Sequence, residues 1–330
     1  MGYRNKIVLA VLFLAVFAGM VPAGCAGENF TPKTEERPDG TKPADPQVWP
    51  DGTEAVEKEI QSGSTEPTEP QEKPDSREQR LHFVDVFGQE YVTDIDPDIK
   101  KHDYDLQAFV HQGERLMYQG DAHYTSRLGV DVSHHQGTID WERVRKAGYE
   151  FVFLRIGYRG YGKEGRVCLD REFFSNIKGA QAAGMDAGVY FFSQAINEAE
   201  AAEEAEFVLK NLEGYSLQLP VVYDPESILD AEARTDDVPG KQFTKNAKVF
   251  CRMIAEAGYE PMIYSNMLWE AYEFDLAQLS EYPVWYADYE KLPQTPYHFA
   301  FWQYSNEGTV DGITGAADLD IQLLPAEDTD

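Results

Sequence analysis

Basic residues are scarce in this sequence of 330 residues. Lys and Arg together number 29 against 58 Asp and Glu, which gives a formal net charge of −29 at pH 7. A protein that binds nucleic acid needs a stripe of positive charge to meet the phosphates, and no basic stripe offsets the acidic excess here. The composition therefore excludes nucleic acid as a partner, and it also excludes long-range attraction to an anionic polymer.

Cysteine is also rare, with Cys25, Cys168 and Cys251 as the three examples. Cys25 follows a short basic start and a charge-free apolar run from Ile7 to about Ala23, a pattern typical of an export signal. The letters PAGC resemble a bacterial lipobox, in which the cysteine is lipidated. Because Pro22 stands where the lipobox usually has leucine, simple secretion and an uncleaved signal anchor stay open beside a lipid anchor at Cys25.

Large apolar residues are nearly absent from residues 26–80, which are rich in Pro, Glu, Thr and Lys. Such a segment cannot bury a core, so we predict a disordered linker. The export signal (1–25) and the linker together predict an exported protein, either anchored at the cell surface and facing the cell wall or secreted. In that compartment Cys168 and Cys251 either pair or remain as two buried free thiols.

The remaining sequence repeats one layout of a helical segment, a glycine and an apolar strand. The glycines are Gly148, Gly184 and Gly258, and glycine suits the left-handed position just past a helix end. Further strand-like runs are LGVDVS, LPVVYD, YPVWYAD and FAFWQYS. Strands that alternate with helices predict a mostly parallel sheet, and we expect an α/β fold of the irregular β/α (TIM-like) barrel type.

Two segments outside this repeat have simpler interpretations. Residues 81–126 alternate apolar and polar side chains like a β-hairpin, and they are too short for a large core of their own, so we expect an arm packed on the barrel. The acidic run after Asn197 predicts a helix capped by Asn197 with Glu200 three residues later, and we interpret its glutamates as a solvated face.

Active sites of β/α barrels form at the carboxyl ends of the strands. These ends supply a set of polar and aromatic residues: Asp131, Arg155, Tyr190, Asp224, Glu226, Tyr264, Trp285, Asp288, Trp302 and Gln303. Acids, amides and aromatic rings together are typical of a carbohydrate cleft, where sugar faces stack on rings and hydroxyls bond to carboxylates. The alternative is that the aromatic residues only cap the barrel core.

Asp224 and Glu226 stand out because they end the apolar run LPVVYDPE. Residues i and i+2 of a strand point to the same side, so both carboxyls can face the cleft. Cleavage of a glycosidic bond commonly uses one acid to protonate the leaving oxygen and a second group to stabilise the positive charge at the anomeric carbon. This pair can supply both.

Six segments resemble glycoside hydrolase family 25, the lysozymes of the Chalaropsis and phage endolysin type. They occur in the family's order and approximate spacing: GVDVSHHQGTIDW (129–141), FVFLRIGY (151–158), AGMDAGVYFF (183–192), PVVYDPE (220–226), GYEPMIYSN (258–266) and WQYSNEGTVDGITGAADLD (302–320). The resemblance predicts a catalytic domain over residues 127–324, followed by a tail at 325–330. It implies cleavage of the β-1,4 bond between N-acetylmuramic acid and N-acetylglucosamine in peptidoglycan, by a monomer that needs no metal or cofactor.

The resemblance also implies roles for individual residues. Glu226 corresponds to the general acid, and Asp224 to a group that acts either as nucleophile or by orienting the substrate's 2-acetamido oxygen. Asp131 and Asp318 correspond to acids that bond to this pair or to the sugar. The implied substrate-binding residues are Tyr190, Tyr264, Trp285 and Gln303. The sequence departs from the family at Asp320, where asparagine is frequent, and this change is expected to alter local bonding.

Three alternative functions fit the sequence less well. A metal-dependent deacetylase would need ligands beside His134 and His135, but adjacent histidines are expected to point in opposite directions and no spaced partners accompany them. Chitinase-like barrels have further acids at positions occupied here by Pro220 and Val222. The remaining alternative is a non-catalytic wall-binding lipoprotein on the same fold, which the presence of all four acids disfavours.

Overall fold

The computed structural model describes residues 80–228, 230 and 232–326. The predicted export signal, Cys25 and almost all of the predicted linker lie outside the described residues, as do 229, 231 and the end of the chain. Within the described part, no helix is both long enough and apolar enough to cross a membrane.

Strands and helices alternate along most of the described chain. In chain order the strands are β1 (Arg80–Val84), β2 (Glu90–Asp94), β3 (Phe109–Gln112), β4 (Arg115–Tyr118), β5 (Tyr124–Val132), β6 (Tyr149–Arg159), β7 (Val167–Leu169), β8 (Asp186–Ser193), β9 (Val221–Pro225), β10 (Pro261–Asn266), β11 (Val284–Ala287), β12 (Phe301–Gly308) and β13 (Ala317–Pro325). The α-helices are α1 (Trp141–Lys146), α2 (Phe173–Ala182), α3 (Glu198–Asn211) and α4 (Gly240–Glu256).

Eight of the strands close into a barrel in the order β5, β6, β8, β9, β10, β11, β12, β13 and back to β5. Neighbours from β5 to β12 run parallel, whereas β13 is antiparallel to both β12 and β5. The predicted mixed α/β barrel is therefore confirmed. The antiparallel closing strand distinguishes it from a regular (β/α)₈ barrel, in which all eight strands are parallel.

The predicted glycine signals mark the ends of α1, α2 and α4. Gly148, Gly184 and Gly258 have φ values of 94°, 74° and 88°, the left-handed region that an L side chain rarely adopts. Each glycine lets the chain turn from a helix into the next barrel strand within a few residues. These turns direct successive strands into one parallel barrel and align their carboxyl ends.

The barrel interior is filled by side chains at alternate strand positions. Its apolar layers consist of Phe151, Phe153, Tyr190, Leu219, Val222, Met262, Tyr264, Trp285, Ala287 and Phe301. Because side chains two residues apart share a face, Phe153 is followed on the same side by Arg155, and Val222 by Asp224. The interior face therefore changes from apolar to ionisable toward the carboxyl ends of the strands.

Residues 80–123 run along the outside of the barrel as two antiparallel hairpins, β1–β2 and β3–β4. Phe109 of β3 packs edge-to-face on Trp302 of β12, with ring centroids 5.2 Å apart. The Tyr304 hydroxyl, also of β12, accepts a hydrogen bond from the Leu116 amide of β4 at 3.3 Å. These contacts join the hairpins and the barrel in one hydrophobic core.

The sequence left open whether Cys168 and Cys251 pair, and they do not, because Cys251 is a free thiol buried on α4. Two expectations need correction. The acidic run of α3 is not wholly solvated, since Glu204 is fully buried beside Arg159. Trp302 does not line the cleft, because its ring packs on the outer hairpins.

Replacement of Leu116 by alanine tests whether the hairpins and the barrel unfold together. Leu116 is completely buried, so its truncation should lower the free energy of unfolding by about 2–5 kcal/mol. Val110, on the partner strand and 37% exposed, is the matched control and should cost less than about 1 kcal/mol as alanine. Denaturant unfolding should show one transition for each variant. A separate early transition in Leu116→Ala, with the barrel transition unchanged, would contradict a shared core.

Candidate active site

One end of the barrel, formed by the carboxyl ends of the parallel strands and the start of antiparallel β13, brings five acidic residues together. Asp131 of β5 lies directly opposite Asp318 of β13, and Asp320 is two residues further along β13. Asp224 ends the interior face of β9, and Glu226 follows one residue beyond the strand. The predicted acids of the first, middle and last barrel strands thus meet at one site, although Glu226 is not on the strand itself.

Gln303 of β12 ties this site together. Its Nε2 donates to Asp131 Oδ2 at 2.6 Å, and its Oε1 accepts from the hydroxyls of Tyr264 and Tyr289, both at 2.9 Å. Because two hydroxyls occupy the amide oxygen, the amide NH₂ group must face Asp131. The two tyrosines therefore fix the bond that holds Asp131 in place.

Asp224 and Glu226 differ in their surroundings. Asp224 is 2% exposed, and its Oδ1 has no hydrogen-bond partner. Glu226 is partly exposed at the mouth of the cleft. Burial, with the nearby charge of Asp131, raises the pKa of Glu226 to about 8. Burial raises the pKa of Asp224 as well, and the charge of Glu226 adds to the effect.

Arg155 supplies positive charge beside these acids. It lies in the interior face of β6, and its charge lowers the pKa values of Asp131, Asp224 and Glu226 against the larger effect of burial. Asp170 holds the guanidinium in place, with its Oδ2 at 2.9 Å from Nε and 2.8 Å from Nη2. Arg155 therefore limits the cost of gathering several carboxyls in one cleft.

The aromatic residues form the floor of the site. Trp285 is 1% exposed and stacks on Phe153, with ring centroids 4.6 Å apart. Tyr264 and Tyr190 meet the indole edge-to-face at 4.8 Å and 5.9 Å. Trp285 thus lies beneath the acids, as in the alternative that aromatic residues cap the barrel core.

Asp320 connects this floor to the acids. It is fully buried, and its Oδ1 accepts from Trp285 Nε1 at 2.8 Å. No N–H or hydroxyl donor pairs with its Oδ2. Burial and the charge of Asp131 raise the pKa of Asp320 well above its ordinary value. The departure noted in the sequence therefore adds an acid that favours its protonated form.

His134 and His135 do not point in opposite directions. They lie on a short turn after β5 with their ring centroids 4.1 Å apart, and His134 Nδ1 is 3.0 Å from Asp170 Oδ2. Burial, with the charge of Arg155, lowers the pKa of His135 to about 4. Among the described residues, no group of three His, Cys, Asp or Glu side chains has an arrangement that could hold a metal ion.

One contributor was missed in the sequence, and one expected residue makes other contacts. Tyr289 bonds to Gln303, but it follows the end of β11 by two residues and its motif carries no catalytic signature. Asp288, which was expected at the rim, instead accepts from the Tyr286 hydroxyl at 2.7 Å and the Gln294 amide at 2.9 Å. The sequence located the end of β11 but not which neighbouring side chain enters the site.

Comparison with known proteins assigns the chain to a family. The sequence model of "Glycosyl hydrolases family 25" matches residues 130–313. The chain belongs to glycosyl hydrolase family 25. It is a glycoside hydrolase, and the matched region spans the barrel from β5 to the loop before β13.

Individual proteins also resemble this chain. The uncharacterized protein YegX of Escherichia coli K12 is 31% identical over 198 residues, which cover 58% of this chain and 68% of YegX. Lysozyme M1 of Streptomyces globisporus is 28% identical over 208 residues, which cover 60% and 68% of the two chains. The crystal structure of a lysozyme from Streptomyces coelicolor is 26% identical and has a TM-score of 0.50, covering 59% of this chain and 90% of that one.

Two acids of the family 25 site have pKa values near or above neutral pH. Burial raises the pKa of Asp131 to about 7, against the lowering effect of the Gln303 hydrogen bond, and that of Glu226 to about 8. Both values exceed the roughly 4 expected in an unfolded chain. The folded protein therefore binds more protons than the unfolded one between about pH 4 and 8, and this contribution to stability is lost as the pH rises through that window.

Glu226→Gln should therefore stabilise the protein selectively at alkaline pH. At pH 8 the variant should exceed the wild type by at least about 1 kcal/mol, because a raised pKa marks a costly ionisation, whereas at pH 4, near the pKa of an unfolded glutamate, the two should be nearly equal. Chemical denaturation at both pH values measures the difference. The control is Glu232→Gln, whose side chain is 77% exposed. The same stability change at both pH values in Glu226→Gln would contradict the account.

Proposed function

We propose that this family 25 enzyme is an N-acetylmuramidase that cleaves the β-1,4 bond between N-acetylmuramic acid and N-acetylglucosamine in peptidoglycan. The pair of acids at the end of β9 carries the proposal. One of them, Glu226, holds a proton at neutral pH at the mouth of the cleft, and the other, Asp224, presents an unpartnered buried oxygen. The names of the relatives, Lysozyme M1 among them, support a lysozyme-type activity on peptidoglycan.

Glu226 acts as the general acid in this mechanism. A carboxyl group with a pKa of about 8 is protonated at pH 7, so it can donate its proton to the glycosidic oxygen as the bond breaks. Its partial exposure lets it reach a sugar bound above the floor. The leaving sugar departs with a neutral hydroxyl, and Glu226 then accepts a proton from the water that completes the reaction.

Asp224 acts at the anomeric carbon in its ionised form. Burial and the charge of Glu226 raise the pKa of Asp224, Arg155 opposes this shift, and the positive charge that develops on the sugar ring would lower the pKa of Asp224 toward ionisation. The unpartnered Oδ1 either attacks the anomeric carbon or accepts a hydrogen bond from the substrate's acetamido N–H and so orients its oxygen for attack. Both courses retain the anomeric configuration.

Asp131 and Asp318 support the pair from the opposite strands. Their carboxyls share a hydrogen bond, which lowers the pKa of Asp131 and raises that of Asp318. The charge of Asp131 in turn raises the pKa of Glu226, which keeps the general acid protonated. Gln303 holds Asp131 in place and also offers its amide to the sugar.

Aromatic side chains determine where the sugar rests. We assign Tyr190 and Tyr264 to the walls of the subsite, because each is buried close to Asp131 and Asp224. Trp285 is assigned beneath them as a support for the two rings rather than as a stacking surface, because both tyrosine rings pack edge-to-face on its indole. An apolar floor also excludes water from the reacting carbon and strengthens the electrostatic interactions above it.

The proposed cellular location of the enzyme follows from its substrate and its N-terminal sequence. Intact peptidoglycan lies outside the cytoplasmic membrane, in agreement with an export signal and with lipidation at Cys25 or a signal anchor. We propose that the linker carries a monomeric barrel toward the wall. A non-catalytic wall-binding protein would have no use for a protonated acid beside a carboxyl group with an unpartnered buried oxygen, so this alternative is not favoured.

Digestion of purified peptidoglycan by the full-length protein tests the proposal. The wild type should release fragments with N-acetylmuramic acid at their reducing ends, identified by mass spectrometry. Glu226→Gln should lower the rate by about 10²–10⁴-fold, the usual contribution of a general acid, because an amide cannot donate this proton.

Glu232 is an exposed residue between β9 and α4, so the control variant Glu232→Gln should retain wild-type activity. Wall binding without new reducing ends from either the wild type or the control would refute the enzymatic proposal and leave a binding protein. New reducing ends on N-acetylglucosamine would refute the assigned bond.

A further inference from the structure

Glu226 lies just beyond the last paired position of β9, so the hydrogen bonds of the sheet do not fix it. The last paired positions of β8 and β9 are Ser193 and Pro225, and Glu226 comes directly after them. Proline has no backbone N–H, so the ladder cannot continue through this position. The placement of Glu226 must therefore depend on contacts outside the sheet.

The side chain of Gln194 makes such a contact. Gln194 follows Ser193 directly and is 1% exposed. Its Nε2 donates to the carbonyl oxygen of Glu226 at 2.6 Å and to that of Ser193 at 3.0 Å. Its Oε1 accepts from the Thr235 hydroxyl at 3.1 Å. Both amide hydrogens and the amide oxygen are engaged, so rotation of this side chain would break several buried hydrogen bonds at once.

Gln194 thereby links the two ends of one connection. The β9–α4 connection comprises residues 226–239, described except for 229 and 231, and contains Glu226 at its start and Thr235 near its end. Next to Thr235, Arg234 Nη2 donates to Glu200 Oε1 at 2.7 Å and the Arg234 amide donates to the Tyr161 carbonyl at 3.0 Å. The far end of the connection is therefore attached to α3 and to the loop after β6.

A buried ionic network holds Gln194 itself. The neighbouring Ser193 hydroxyl donates to Glu204 Oε2 at 2.6 Å, and Glu204 Oε1 accepts from Arg159 Nε at 2.7 Å. Ser193 Oγ also accepts from the Ala195 amide at 3.3 Å. The chain on both sides of Gln194 is thus fixed to α3 and β6. The backbone of Gln194 is therefore held in place by buried hydrogen bonds.

We propose that Gln194 is a positioning residue that fixes the backbone of Glu226, and through it the carboxyl group, for proton donation to the glycosidic oxygen. This inference rests on the proposed role of Glu226 as the general acid. The residue does not touch the substrate. It acts by holding the one catalytic acid that lies beyond the end of its strand.

The substitution Gln194→Met tests the proposal. Methionine matches glutamine in length and shape but makes none of these hydrogen bonds. Misplacement of a reacting group by about 1 Å can cost about 10²-fold in rate, so we expect kcat to fall by about 10–100-fold. We expect KM on soluble peptidoglycan fragments to change by less than about 3-fold, because the subsite walls remain.

The pH profile gives a readout that a merely structural role would not change. Glu226 must be protonated to act, so activity declines as the pH rises through its pKa. Released from its position, the carboxyl would reach solvent and its pKa would fall, so the alkaline limb should move to lower pH. The variant leaves unchanged the charged and titratable groups that face Glu226, which are Asp131, Arg155, Asp224, Tyr264, Tyr289 and Asp318.

Gln181→Met is the control for loss of a side-chain amide hydrogen bond away from the site. Gln181 Nε2 donates to the Ser216 carbonyl at 2.7 Å at the opposite end of the barrel. It should retain kcat and the pH profile even if its unfolding temperature falls as much as that of Gln194→Met. Both variants are assayed as full-length protein below their unfolding temperatures, with rates expressed per folded molecule.

The outcomes are distinct. An unchanged kcat and alkaline limb in Gln194→Met, beside an inactive Glu226→Gln, would overturn the positioning role and leave the proposed function intact. Full activity in Glu226→Gln would overturn both. A lower kcat with an unshifted alkaline limb in Gln194→Met would also overturn the positioning role, because the acid would then have kept its surroundings.

Discussion

The structure depends on the burial of five carboxyl groups in one cleft, where they cannot all be ionised at the same time. Asp131, Asp224, Glu226, Asp318 and Asp320 meet at one end of the barrel, with Arg155 as the cation that lowers the pKa of three of them. Each further ionisation in such a cluster is opposed by desolvation and by the charges already present. Protons therefore stay on some of these groups at neutral pH, which is the state a general acid needs.

The surrounding fold provides the rigidity that this arrangement needs. Tyr264 and Tyr289 fix the orientation of Gln303, and Gln303 fixes Asp131. On the other side of the cleft, the Gln194 side chain donates a hydrogen bond to the Glu226 backbone. The buried Arg159–Glu204 ion pair supports the chain beside Gln194. The acids are destabilising on their own, and hydrogen-bonded neighbours on adjacent strands hold them where the chemistry requires them.

Much of this could be predicted from the sequence, because it depends on local signals. Glycine after each helix, apolar strands and the i, i+2 spacing of Asp224 and Glu226 indicated the barrel and the end at which its acids lie. Contacts between distant segments could not be predicted. Trp285 was expected to line the cleft but lies beneath it, since the side on which a strand-end aromatic packs depends on its partners, here Phe153 and Asp320. Burial of Glu204 was missed for the same reason, because nothing near it in sequence indicates Arg159.

The central claim, that the cleft holds protons at neutral pH, is tested most directly by a ¹³C NMR titration of the side-chain carboxyl carbons in the full-length protein. Selective assignment through Asp→Asn and Glu→Gln variants identifies the cluster. The account predicts that Asp131 and Glu226 titrate with midpoints near their raised pKa values, about 7 and about 8, and that the cluster still holds protons at pH 6. Midpoints below about 5 for every member of the cluster, close to those of exposed carboxyls, would contradict it.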